Sequence, residues 1–419
     1  MRRTRNAPMK RLVMLAAGVL AVGCSNTATE NQPGTPADSL RALPRAVSTA
    51  EQKGIESINV FSMGLLSEVT RASSSGNVLL SPFSVSTALG LTMNGATGAT
   101  EEAMRNTLAW GTMTRAEINA AYRDLSALLP TLDPAVTFKS VNGIWTREPM
   151  RAHADFVSDA TQYFKATVSS AATPQAMFDA VNAWGNQATE GLVPKVLQDP
   201  PPNDLTMLLA NALLFKGQWR ERFDASKTAP GPFQLEGGAP VSVPMMTRTG
   251  GFRASADTGV TAIELAYGNA AYSMLILVPR TAPIRQFVST LDATRVSRLI
   301  EMLSPQDRSP LFMPKFRVSA SRELRPTLEA MGMGIAFSNQ ATFPRLFADG
   351  SGQRLEFVRH AVTVDVDEEG TRAAAVTVVG VVPVSLPASF NVNRPFLFFI
   401  RERFTGALLF SGVIRDPRQ

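Results

Sequence analysis

The chain has 419 residues, 45% of them hydrophobic and 18% charged, which allows a large buried core and excludes global disorder. Its formal charge of +6 is concentrated at one end: Arg2, Arg3, Arg5, Lys10 and Arg11 fall in the first 23 residues, where there is no acid. The remainder is close to neutral, which gives no reason to expect a nucleic-acid partner.

The basic start leads into the apolar run Leu12 to Val22, too short to span a bilayer. The run ends in Leu20-Ala21-Val22-Gly23-Cys24 and resembles a bacterial lipoprotein signal with Cys24 as the acylated residue. The alternative is an ordinary secretory signal with an incidental cysteine. The lipoprotein reading implies export and a lipid anchor as the sole link to a membrane, at the outer membrane or cell surface, or else secretion. Cys24 is the only cysteine, so no intrachain disulfide can form. Residues 25–52 are polar and rich in Pro, Ser and Thr, the composition of a flexible tether. No later break of that kind occurs, so residues 53–419 are expected to form one domain.

Apolar spacing predicts a helix over Ile55 to Val69. Val78 to Leu80 reads as a buried strand, and Ser81 as the cap of a helix with Pro82 at its first position and Gly95 at its end. Further helices are predicted near Thr100, over Ala116 to Leu129, Ala152 to Phe164 and Gln175 to Thr189. Val136 to Trp145 reads as a strand. Leu205 to Trp219 is almost wholly apolar, as suits a strand buried on both faces. Short strand-like runs fill Pro232 to Pro279. A helix is predicted over Ile284 to Leu303, a strand over Leu311 to Ala320, a helix over Leu324 to Met331, and a hairpin of two apolar strands over Asn393 to Ile414. Helices gather in the first half and antiparallel-looking strands in the second, an α+β arrangement.

Catalytic chemistry finds little support. There are two histidines, His153 and His360, and the sequence contains no GxSxG, P-loop or GxGxxG following a strand. Ligands for a zinc site are too few, and no metal or other cofactor is expected. No carboxylate pair stands out for an enzyme. His153 reads as a surface residue, and His360, taken alone, as a packed core histidine. The stretch Glu368 to Pro387 (EEGTRAAAVTVVGVVPVSLP) is the most unusual. It is composed like a strand but punctuated by Gly370, Gly380, Pro383 and Pro387. By itself it fits either strand, turn and strand, or a segment built to change state.

Six motifs, NVLLSPFSVSTALGLTMNGATGAT, NALLFKGQW, VSVPMM, MPKF, VDVDEEGTRAAA and NRPFLFFIRERFTGALLFSG, occur in the order and spacing of the serpins, and the chain resembles that family from about residue 53 to its end. The resemblance implies three β-sheets, eight or nine helices and an exposed reactive-centre loop, with no catalytic residue. It implies a monomeric suicide inhibitor of serine proteases, whose cleaved loop inserts into the central sheet. The family spacing makes Glu368, Glu369, Gly370, Thr371, Arg372, Ala373, Ala374 and Ala375 the hinge. It places the reactive bond at Val384-Ser385, flanked by Pro383 and Pro387. Ser81, Ser84, Asn211 and His360 match the family's shutter, and Trp219 its breach. Arg372 departs from the family's usual Glu. On a strand, Thr371, Ala373, Ala375, Thr377, Val379 and Val381 share one charge-free face, and Arg372 lies on the other. Gly370 to Val384 as a strand would extend about 50 Å. No Lys or Arg lies between Arg372 and Arg394. Val384 therefore suits an elastase-like protease, with chymotrypsin- or subtilisin-like enzymes as further candidates. A non-inhibitory family member, used for binding or as a chaperone, is the alternative.

Overall fold

Ser48 and Glu51 set the start of the first helix. The Ser48 hydroxyl accepts from the Glu51 N–H and the Glu51 carboxylate from the Ser48 N–H, a capping box that opens helix Thr49–Ala72. Upstream, Arg45 pairs with Glu51 at 2.6 Å, the Leu40 N–H donates to the Asn269 carbonyl at 2.7 Å, and Leu43 and Val47 pack on the core. Residues 40, 43 and 47 thus pack against the core ahead of the boundary expected at residue 52, because their apolar side chains give the approach to the helix something to bury. The computed structural model describes residues 39–191, 193–256, 259–347, 354–371 and 389–419. These belong to a compact unit, Pro36–Gln419, and the first unit, Met1–Thr35 with Cys24, lies outside the described residues.

Among the described residues the strands form three sheets. The six-stranded sheet runs, edge to edge, Phe316–Glu323, Phe357–Val366, Gly370–Thr371, Met207–Gln218, Val136–Arg147 and Thr167–Ala171. A seven-stranded sheet contains the hairpin Phe396–Glu402 and Leu408–Ile414 beside its central strand Tyr272–Pro279, and a four-stranded sheet contains Pro240–Thr249 and Pro310–Pro314. Part of the core lies between the two larger sheets. There the Phe215 ring meets Phe410 at 5.6 Å and Phe316 meets Phe398 at 5.6 Å. As expected of a strand covered on both faces, Met207 to Phe215 are all buried. Their second face is covered by helix Pro174–Ala188, where Trp145, Met177, Val181 and Leu208 form a smaller core. Helix Pro82–Met93 has no polar face and is buried along its full length.

Two predicted elements are divided. The helix expected over Ile284 to Leu303 is two, Ile284–Ser289 and Ala293–Glu301, because the Asp292 side chain accepts from the Arg295 N–H and caps a new start. The strand expected over Leu311 to Ala320 breaks after Pro314. Its halves, Pro310–Pro314 and Phe316–Glu323, join different sheets, with Lys315 at the corner.

Candidate functional site: a half-open seam in the central sheet

The seam lies between strands Met207–Gln218 and Phe357–Val366. They pair in parallel from Leu208 opposite Phe357 to Leu213 opposite Val362. Beyond Leu213 the ladder parts, and Gly370–Thr371 enters the gap. Thr371 pairs antiparallel with Val366 on one side and with Gly217 on the other, and Gly370 pairs with Gln218. Gly370 and Thr371, the third and fourth residues of the expected hinge, are therefore already paired within the sheet. Glycine is required at 370, since a Cβ there would stand 2.0 Å from the Gly217 carbonyl oxygen.

Several groups hold the hinge. The Asp367 carboxylate accepts from the Glu369 and Gly370 N–H groups at 2.9 and 3.1 Å, closing the turn that reverses the chain. Glu368 pairs with Lys315 at 2.7 Å and accepts from the Thr228 hydroxyl at 2.6 Å. Burial alone would raise the Glu368 carboxyl, but Lys315 and Thr228 outweigh it and keep it below the usual range. The Trp219 indole donates to the Asp367 carbonyl at 2.8 Å, and its ring stacks on Tyr267 at 4.5 Å. The Tyr267 hydroxyl in turn lies 2.7 Å from the Thr371 hydroxyl, and Thr371 is only 1% exposed.

Lower on the seam the four residues matched to the shutter meet in one buried cluster. The Ser81 N–H donates to His360 Nε2 at 2.9 Å, and the Ser81 hydroxyl donates to the Leu409 carbonyl at 2.7 Å. Because Nε2 accepts, the His360 proton sits on Nδ1, which donates to Asn211 Oδ1 at 3.0 Å. The Asn211 amide reaches the Ser84 hydroxyl, and Asn142 Oδ1 at 2.7 Å, while Ser84 and Ser140 hydroxyls lie 2.8 Å apart. His360 and Asn211 are also partners in the parallel ladder, so their hydrogen bond crosses the line along which the sheet would part.

Burial first, and Arg322 second, push the His360 imidazole down to about 3 from its ordinary 6.5. Since the folded value is depressed, the fold resists protonation. The stabilising contribution is complete above about pH 6.5 and is lost as the pH falls toward 3. The thermal unfolding midpoint should therefore drop across this window, and His360→Gln should flatten that drop. An identical pH profile in the variant would remove His360 from the account.

Glu368, Glu369, Gly370, Thr371 and Trp219 thus come together at the head of the seam, and Ser81, Ser84, Asn211 and His360 below it. His153 is exposed at a helix start. Arg372, Ala373, Ala374, Ala375, Pro383, Val384, Ser385 and Pro387 lie outside the described residues. Sequence reading missed Tyr267, Thr228, Asn142 and Ser140. Lys315 stood in the MPKF motif, but with no sign of its bond to Glu368.

The family model described as Serpin (serine protease inhibitor) matches residues 56–417. An uncharacterized serpin-like protein of Thermococcus kodakarensis is 30% identical over 435 aligned residues, which cover 98% of this chain and 100% of that protein. A leukocyte elastase inhibitor of Xenopus tropicalis is 29% identical over 377 residues, covering 85% of this chain and 97% of that protein. The solved structure of human kallistatin shares the fold with a TM-score of 0.81 at 21% identity, over 88% of this chain and 99% of that one. With three sheets, a seam in the central one and the family match running across nearly all of the folded unit, this chain belongs to the serpin family.

Proposed function

We propose that this serpin is an inhibitor of serine endopeptidases that traps the acyl-enzyme by inserting its loop into the seam. The protease serine attacks the Val384 carbonyl, an ester forms, and the Val384-Ser385 bond breaks with a proton passing to the departing Ser385 amine. The freed hinge side then enters the sheet carrying the protease with it. The observation that carries this reading is the hinge strand Gly370–Thr371, paired antiparallel to both neighbours at the head of a parallel pair. Filling the rest of the seam replaces a parallel contact with two antiparallel ones, the slightly more stable pairing.

The register supports this residue by residue. Continued from Thr371 in an inserted strand, it would set Ala373 between Val364 and Phe215, Ala375 between Val362 and Leu213, Thr377 between His360 and Asn211, and Val379 between Val358 and Leu209. All eight flanking residues are at most 2% exposed, so a face of small and β-branched side chains suits the slot. Arg372 would fall between Asp365 and Lys216 on the opposite face, and Lys216 is already paired with Glu190 at 2.6 Å. An Arg372–Asp365 cross-strand pair would be worth about 0.2–1 kcal/mol in the inserted state. Gly380 would reach Phe357 and Leu208, the end of the paired region, leaving Val382 to Pro387 as bait.

Val384, with no Lys or Arg near it, directs the loop toward elastase-like enzymes. A relative 29% identical is named a leukocyte elastase inhibitor. The test mixes the intact protein with pancreatic elastase and separates the products on a denaturing gel. A covalent complex, with a released fragment that begins at Ser385, is expected. Cleavage without a complex would reduce the protein to a substrate.

A further inference from the structure

Strand Phe390–Asn391 forms one edge of the four-stranded sheet, paired in parallel with Leu311 and Phe312. Beside it, Ala256, Thr261 and Val278 of the seven-stranded sheet complete a broad open groove of about 950 Å³. A second concavity of about 310 Å³ adjoins the first and shares Arg280, Thr281 and Arg394 with it.

The shared wall carries two cations. Arg280 directly follows strand Tyr272–Pro279, and Arg394 stands two residues before strand Phe396–Glu402. These strands are neighbours, with Leu277 opposite Leu397, so their ends bring the two arginines together. The Arg394 Nη1 donates to the Arg280 carbonyl at 3.3 Å, and both residues are exposed. Among the described residues no carboxylate pairs with Arg394. The one carboxylate on either lining, among the described residues, is Glu236, which accepts from the Ile284 N–H at 2.8 Å. Two like charges side by side repel each other, so the pair serves a partner better than it serves the fold.

The place of the groove identifies that partner. Ser389 on its wall is four residues beyond Ser385, a span of no more than about 14 Å of extended chain. A protease of about 240 residues has a radius of gyration of about 18 Å, so an enzyme seated on the reactive bond reaches over the groove. We propose that this groove is a second contact for the attacking protease, and that Arg280 and Arg394 select enzymes with carboxylates on the surface beyond the subsites for Ser385 to Pro387. This rests on the inhibitory reading and narrows it. Val384 sets what the primary pocket accepts, and the two arginines set which of the enzymes with such a pocket associates fastest. Charges at the rim of an interface act on the rate of encounter and on its salt dependence.

The probes are pancreatic elastase and its succinylated form, whose lysines have become carboxylates. The rate of covalent complex formation is measured for both with the full chain and with Arg280→Glu/Arg394→Glu. The ratio of the succinylated to the unmodified rate should fall at least about fivefold in the variant at low ionic strength. Arg280→Gln/Arg394→Gln should lie between, and salt of about 0.5 M should close most of the gap. Lys53→Glu/Arg298→Glu, at exposed positions on two helices outside the groove, reverses as many charges and should move the ratio by less than about twofold. A ratio unmoved by Arg280→Glu/Arg394→Glu, or moved as far by Lys53→Glu/Arg298→Glu, would overturn the proposal and leave the inhibitory reading standing. No covalent complex with either enzyme would overturn the inhibitory reading, and this proposal with it.

Discussion

Thr371→Arg is expected to convert the protein from inhibitor to substrate. Thr371 is 1% exposed, its hydroxyl meets Tyr267 at 2.7 Å, and its neighbours are the backbones of Val366 and Gly217. An arginine here must either bury an unpaired charge, at a cost of several kcal/mol, or keep the hinge out of the sheet. About 3 kcal/mol added to the barrier slows insertion roughly a hundredfold. Hydrolysis of the acyl-enzyme, whose chemistry is unchanged, then wins the race. Titration of protease activity should show the amount of protein needed per enzyme rising at least about tenfold, with cleavage at the same bond. Unchanged stoichiometry would mean that Thr371 does not lie on the path of insertion.

Val384→Arg should act on the other half of the loop. A small β-branched side chain fills a shallow apolar pocket, whereas arginine needs an acid at the base of one. The variant should gain at least about a hundredfold in its rate of complex formation with trypsin and lose a similar factor with elastase. The insertion slot itself is untouched, so the stoichiometry with the favoured enzyme should stay low. A shift in neither direction would place the reactive bond elsewhere in the loop. This variant and Thr371→Arg separate recognition from trapping, since the one changes which enzyme reacts and the other what happens after acylation.

Much of the fold could be read from local pattern. The apolar run Met207 to Phe215 announced a strand covered on both faces, and Ser81-Pro82 announced a helix start. Failures came where a single polar contact decides. Asp292 restarts a helix that periodicity alone would continue, and the chain turns at Lys315 from one sheet into another without changing its strand-like composition. Thr167–Ala171, an edge strand mostly open to solvent, carries too few apolar residues to announce itself. The site was legible only through the family motifs, and only as a set of residues. Tyr267 meets Thr371 across 104 positions and Thr228 meets Glu368 across 140. Such distances leave no periodic trace. That the hinge already sits two residues deep in the sheet follows from those contacts and from Gly370, and no composition rule would show it.

On the proposed mechanism, the seam between Met207–Gln218 and Phe357–Val366 parts after cleavage and takes the loop as a new strand. Thermal unfolding of the intact protein, compared with protein cut in the loop by a catalytic amount of elastase, tests it most directly. If the loop inserts as proposed, the gain of a fully paired central strand should raise the unfolding midpoint by tens of degrees, where roughly 2–4 °C corresponds to 1 kcal/mol for a domain of 150–250 residues. A cleaved protein that unfolds at the same temperature as the intact one, or below it, would contradict the account.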